Sequence, residues 1–128
     1  VSVYGQKEQP FFKWVTDIDG LSNNWIKTIF EDKDGFMWFG TINGLNRFNG
    51  HNFKIFQAGV ECKLTDNIID CLEEENQSNI WVLTFSSELN RYDRNTDFFT
   101  SFQKDAKDRS SNSGKKINSI IQDETGQF

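Results

Sequence analysis

His51 is the sole histidine of the chain and the first place to look for a general base. It follows Asn49-Gly50, and no serine or cysteine stands near it to serve as a nucleophile, so an acyl-transfer pair is not expected. Cys62 and Cys71 are nine residues apart. That is not zinc spacing, and no second cysteine pair or histidine cluster accompanies them. Two readings stay open: a disulfide formed in an oxidising compartment, or two thiols, Cys71 in a strand and Cys62 in a loop. Asp32-Lys33-Asp34-Gly35 begins like a calcium loop, but the alternating oxygen ligands and the later bidentate glutamate are missing. Asp and Gly in these places make a turn instead. Glycoside hydrolysis needs two carboxylates flanking one bond, and Asp32 and Asp34 share a turn rather than face across a cleft. Trp38 and Trp81 could stack on a sugar, but their mid-strand setting among apolar neighbours points to core packing. Arg47 and Arg91 either bind a carboxylated sugar or brace the protein internally. No catalytic residue, metal site or cofactor is expected.

The bulk composition narrows the partners. With 14 basic and 19 acidic residues the net charge is −5. Nucleic acid and anionic membrane surfaces both call for a basic face, so neither is an expected partner. No stretch approaches the ~18 apolar residues of a membrane span. The start carries no signal peptide, although a secreted precursor could have lost one. Thirteen Phe, four Trp and two Tyr, set among nine Gly and a single Pro, are the makings of short strands and tight turns.

The elements that must position these residues come from an internal repeat. Residues 21–56 and 64–102 are two copies. Leu21 matches Leu64, Asn24 matches Asn67, Ile26 matches Ile69, Trp38 matches Trp81 and Thr41 matches Thr84, all 43 apart. After one inserted residue, Leu45-Asn46-Arg47-Phe48 matches Leu89-Asn90-Arg91-Tyr92. A third copy opens near Ile117 and stops at Phe128, one step short of its expected Trp. A period of this length belongs to four-stranded propeller blades. In the first copy, strands are expected at 25–31, 36–41, 45–48 and 52–56, with turns at 32–35, Asn43-Gly44 and Asn49-Gly50. Phe36-Met37-Trp38-Phe39 is apolar on both alternating faces, so each sheet needs a neighbour on either side. Gly40, directly after this run, is expected to let the adjoining sheet come close.

The expected fold is therefore all-β: four-stranded antiparallel up-and-down blades, forming an incomplete propeller of about two and a half blades. The organisation expected is an N-terminal segment 1–20 with an orphan outer strand at 11–15, a first blade at 21–60 and a second at 61–105. A polar loop at 106–116 and the start of a third blade at 117–128 follow. Both terminal sheet faces would be apolar and their edges open, so the chain is expected to associate, as a homodimer or with the remaining blades of a parent propeller.

Asp34-Gly35-Phe36-Met37-Trp38-Phe39-Gly40-Thr41, followed by Asn43-Gly44-Leu45-Asn46-Arg47-Phe48, resembles the two-component regulator propeller repeat. The lead-in Gly20-Leu21-Ser22-Asn23-Asn24 is typical of it, and the resemblance runs from about Phe11 to Phe128. The second copy departs from the pattern, with Ser78, Leu83 and Glu88 where glycines are expected. The resemblance implies the periplasmic sensor region of a hybrid two-component protein. Its propellers and an immunoglobulin-like domain would lie outside the membrane, and a histidine kinase, a receiver and a DNA-binding domain inside. Many members answer to breakdown products of polysaccharides. By the family's geometry, the lead-in to each first strand and the second hairpin loop open on one end of a central channel. That end would display Asn23, Asn24, Trp25, Asn43, Thr65, Asp66 and Asn67 as candidates for an oligosaccharide ligand. Two other readings are a propeller scaffold for protein contact or dimerisation, and a polysaccharide lyase or glycosidase propeller.

Overall fold

A computed structural model describes residues 2–4, 12–59, 62–75 and 79–102 of the chain. Expectations for Ser78, the polar loop at 106–116 and the third copy from 117 lie outside the described residues. Strands β1 (Ser2–Tyr4) and β2 (Phe12–Trp14) pair antiparallel in a small sheet of their own. Strand β2 falls within 11–15, where an orphan outer strand was expected, but it is paired with Ser2–Tyr4 rather than unpartnered. A single 3-10 turn, Asp17–Asp19, leads into the first repeat.

Two four-stranded sheets follow, each an antiparallel meander. The first contains β3 (Ile26–Glu31), β4 (Met37–Thr41), β5 (Gly44–Phe48) and β6 (Phe53–Phe56) in that order. The second contains β7 (Ile69–Glu74), β8 (Asn79–Thr84), β9 (Leu89–Asp93) and β10 (Phe98–Phe102). These are the eight strands expected, each within a residue or two of the positions read from the repeat. The sheets approach through their first strands, β3 and β4 packing on β7. Both first strands carry a register shift at the same place in the repeat, between Ile26 and Thr28 and between Ile69 and Cys71. This bulge turns the strand over. Ile26 consequently packs on one face of the first sheet with Phe39, and Phe30 on the other with Trp38.

Alternation along β4 explains the core. Trp38 faces the second sheet and is fully buried against it. It lies 5.9 Å from Phe56, stacked, and 5.0 Å from Tyr92, edge-on. Ile69, Leu72, Ile80 and Val82 complete this seam from the second sheet. Phe39 points the opposite way, into a cluster with Leu21, Phe48 and Phe53. Repeat-related residues divide consistently between the faces: Leu64, Ile69, Val82 and Tyr92 occupy in the second blade the places of Leu21, Ile26, Phe39 and Phe48. Trp81 occupies in the second blade the place of Trp38. It lies on the face of β8 turned away from the first sheet and is half-buried, its ring 5.2 Å from that of Phe102.

Gly40 sits in the seam as expected, with side chains rather than backbone of the next strand against it. A Cβ there would lie 2.5 Å from Thr28 Cγ2 and 2.7 Å from Ile69 Cγ2. In the first hairpin Gly44 takes a φ of 127°, which suits only glycine. The second hairpin has one more residue and Glu88 in that place. Its left-handed position moves to Ser87, at a φ of 64°, whose N–H closes the turn on Thr84 O at 2.9 Å. The missing glycine is thus absorbed by the insertion.

Three substitutions separate the seam from the outer faces. Trp38→Ala is expected to cost about 3–5 kcal/mol as a large-to-small change in a packed core. Gly40→Ala should cost about 1–3 kcal/mol by overpacking. Trp81→Ala should cost less than Trp38→Ala. Denaturant unfolding measures all three, and a Trp38→Ala loss below about 1 kcal/mol would contradict the assignment of this face as core.

Candidate functional site

The connections gather at two ends of the sheets, and the two ends differ in kind. At one end the lead-ins to β3 and β7 meet the β4–β5 and β8–β9 hairpins. Ile42 N–H donates to Trp25 O at 3.3 Å, and its repeat partner Phe85 N–H donates to Ile68 O at 2.9 Å. The buried Asn46 pins the first lead-in. Its Oδ1 accepts from Ser22 N–H at 2.8 Å, while its Nδ2 donates to Ser22 Oγ at 2.7 Å and to Phe39 O at 3.2 Å. In the second blade Asn90 Nδ2 donates to Thr65 Oγ1 at 2.9 Å. Gly44 N–H crosses from the first blade to Asn67 O in the second lead-in, at 2.7 Å.

The seven candidate residues all lie at this end, but most of their oxygens are committed to holding the loops. Asn23 Oδ1 accepts from Trp25 N–H at 2.7 Å, Asn24 Oδ1 from Asp17 N–H at 2.9 Å, and Asn67 Oδ1 from Ala58 N–H at 2.6 Å. Asp66 accepts from Ile68 N–H and Ser86 N–H, both at 3.2 Å. Thr65 is held by Asn90, and Asn43 Nδ2 donates to Ser22 O at 3.3 Å. What remains available is the other half of three amides. The Nδ2 groups of Asn23, Asn24 and Asn67 make no hydrogen bond among the described residues. Beside them Trp25 is 69% exposed, Ile18 94% and Phe85 52%, unusual for large apolar side chains. Lys27 and Asp70, at the two bulges, form an ion pair across the first strands, and the Lys27 ammonium stands 5.5 Å from the Phe85 ring centre. Phe85, Ile18 and Lys27 were not among the sequence candidates. Phe85 was findable, because it matches Ile42 in the repeat.

The opposite end is a charged closure of the seam. Buried Asp32 accepts from Trp38 Nε1 at 2.7 Å and from Arg94 Nη1 at 2.9 Å. Its other oxygen takes the N–H groups of Asp34 at 2.9 Å and Phe36 at 3.0 Å, which also forms the expected turn. Arg94 further binds Asp34 at 2.9 Å and Glu74 at 2.6 Å, so one guanidinium ties the turn of the first blade to the second. Nearby, Arg47 donates to Tyr92 Oη at 2.6 Å and to Asp97 at 3.3 Å, with its guanidinium 5.1 Å from the Phe36 ring centre. Asp97 also holds Lys54 and accepts the Tyr92 hydroxyl. Arg47 therefore braces the seam, and Arg91 pairs with Glu75 at 2.8 Å on the far face. Burial pushes the Asp32 carboxyl up, but hydrogen bonds from Trp38 and Phe36 and the charge of Arg94 outweigh it and hold it below the ordinary range. Asp97 is likewise lowered on balance, by Lys54, Tyr92 and Arg47 against its burial. The Tyr92 phenol is raised, by burial first and then by its bond to Asp97.

Among the described residues no cluster of ligands could hold a metal ion. Cys62 and Cys71 are both free and half-buried, Cys71 in β7 and Cys62 in the loop before it. Among the described residues, two shallow grooves lie away from the loop end. One, of about 260 Å³, runs between the outer strands past Lys54, Phe56, Cys62 and Phe98. The other, of about 100 Å³, borders Arg47, Asn49 and Lys54. None of the seven candidates lines either.

Comparison with known proteins agrees with this architecture. Residues 20–43 match the family model of the two component regulator propeller. A curated relative named Histidine kinase P4, from Formosa agariphila, is 44% identical over 61 residues, covering 48% of this chain and 4% of that protein. The extracellular domain of BT3049 from B. thetaiotaomicron, assigned as a hybrid two component system, superposes with a TM-score of 0.67. It is 31% identical, with 75% of this chain and 14% of that chain covered. The extracellular domain of BT4673 from the same organism superposes with TM-scores of 0.53 and 0.51 in two structures. Each is 32% identical and covers 60% of this chain and 11% of that chain. The chain thus spans only a small part of each relative. Among the described residues no helix is long and apolar enough to cross a membrane.

The carboxylates at the charged end set a pH dependence. Asp32 and Asp97 titrate lower in the folded protein than in the unfolded chain. Their stabilisation is therefore complete above the unfolded value of about 3.9 and is lost as pH falls through their folded values. Asp32→Asn and Asp97→Asn should lower stability at neutral pH and flatten its fall in acid. Urea titrations across the acid range measure this, and an unchanged slope in both variants would contradict it.

Proposed function

We propose that this chain, whose residues 20–43 match the two component regulator propeller and whose fold is that of the extracellular domain of such a sensor, is part of the periplasmic ligand-sensing propeller of a hybrid histidine kinase. Its ligand is an oligosaccharide released from polysaccharide, and its output is a change in transcription. The observation that carries this reading is the loop end. There an exposed indole, Trp25, stands beside amide N–H groups of Asn23, Asn24 and Asn67 that no other described residue uses. A sugar offers an apolar ring face to an indole and hydroxyl acceptors to amides. The loops are pinned by Asn46, Asn90 and the Gly44 bond to Asn67, so little ordering is required on binding. The same pinning links the loops of one blade to the next. A ligand bound there favours one arrangement of blades over another, and a signal to the kinase requires such a difference in affinity between two arrangements. Trp81 and Arg91, on the far face of the second sheet, would meet further blades of the parent chain.

A second reading, a scaffold for protein contact or dimerisation, has its own support in the exposed Ile29, Ile55, Phe98 and Phe102. The enzymatic reading, a lyase or glycosidase, lacks a pair of carboxylates facing across a cleft.

Calorimetric titration with plant and host oligosaccharide fragments distinguishes these. In the full-length sensor region Trp25→Ala should weaken binding by about tenfold or more, the scale of a lost aromatic anchor. It should leave unfolding unchanged, because the side chain is exposed. The isolated chain should bind weakly or not at all. Wild-type affinity in Trp25→Ala would overturn the proposed site.

A further inference from the structure

The chain has two Asn-Gly pairs, and the structure treats them in opposite ways. We propose that Asn49-Gly50, in the turn between β5 and β6, is a self-modification site at which the Gly50 backbone nitrogen displaces the Asn49 side-chain amide. Both residues are exposed. Asn49 Oδ1 accepts hydrogen bonds from His51 N–H at 2.8 Å and Asn52 N–H at 2.7 Å. Those two donors point at the oxygen on which negative charge develops when the adjacent carbon is attacked, the role of an oxyanion hole. The attacking group is also at liberty: among the described residues no hydrogen bond claims the Gly50 N–H. Its approach is open as well, since nothing lies within 4 Å of the place where a Cβ would stand.

The step balances without any oxidant or cofactor. The Gly50 nitrogen gives its proton to water and bonds to Asn49 Cγ. The Nδ2 group takes up a proton and leaves as ammonia, closing a five-membered imide. Water then opens the imide at either carbonyl, giving an aspartyl or an isoaspartyl residue. At Asn43-Gly44 the same chemistry is blocked. The Gly44 N–H is held by Asn67 O at 2.7 Å, and the leaving amide of Asn43 donates to Ser22 O at 3.3 Å. Gly44 is also enclosed, with Phe56 O 2.8 Å from its would-be Cβ.

The product has a place to act. Asn49 borders the same groove as Arg47 and Lys54, the two cations that Asp97 holds across the seam. A carboxylate at this position competes with Asp97 for them. An isoaspartyl link also adds a backbone atom to the turn that sets the Phe48–Phe53 pairing.

Peptide mass mapping of the folded full chain, kept warm at mildly alkaline pH, tests the proposal. The Asn49 peptide should convert from amide to acid, with an isoaspartyl fraction. It should do so roughly tenfold or more faster than the Asn43 peptide, the factor that one engaged backbone hydrogen bond supplies. In urea the two rates should converge, and Gly50→Ala should suppress conversion at Asn49. Equal rates in the folded protein, or an Asn49 that stays intact while both sites convert in urea, would overturn it.

Discussion

Trp38 and Phe39 are neighbours on one strand, so their side chains point to opposite faces, and both are fully buried. A single sheet in water can keep only one face dry. This constraint organises the molecule: the first blade must be covered on both sides, and the second sheet supplies one cover. Trp38 fills the seam against Phe56 and Tyr92, and Gly40 beside it leaves the space that Ile69 takes. The same requirement passes to the second blade through the repeat, which sets Trp81 on a face turned away from the first sheet.

The two ends of the seam are closed by different means, and the difference carries the functional reading. At one end charge does the work. Arg94 reaches Asp32, Asp34 and Glu74, and Asp97 gathers Arg47 and Lys54. At the other end hydrogen bonds, mostly from side-chain amides and backbone, tie loop to loop, and Trp25, Phe85 and spare amide donors are left outward. In the proposed reading, a ligand at the loop end would meet loops whose positions follow from the packing of the blades beneath them.

Much of the fold was legible because it was written twice. The 43-residue spacing of Trp38 and Trp81, with the matching leucines, asparagines and isoleucines, is enough to place eight strands. The turn at Asp32 and the tight approach at Gly40 were also readable, since few residues suit those positions. The bulges at Lys27 and Asp70 were not, because a bulge leaves no fixed residue signature. Nor was the Arg94 clamp: it joins residues 60 and 62 positions apart, and no local pattern links them. The candidate loop residues share one end, as the repeat implied, yet their hydrogen bonding was hidden. An Asn that braces a loop and an Asn that offers donors to a ligand look the same in sequence.

The account rests on the loop end being held by the seam rather than folding on its own. Amide hydrogen exchange at Gly44 tests this most directly, because its N–H bridges from the first blade to Asn67 of the second. Under native conditions the Gly44 amide should be as protected as the Phe39 amide in the core strand, both opening only when the blades separate, and Trp38→Ala should lower the two protections together. Fast exchange at Gly44 beside a slow Phe39 would show that the loops move independently of the seam, and would contradict the account.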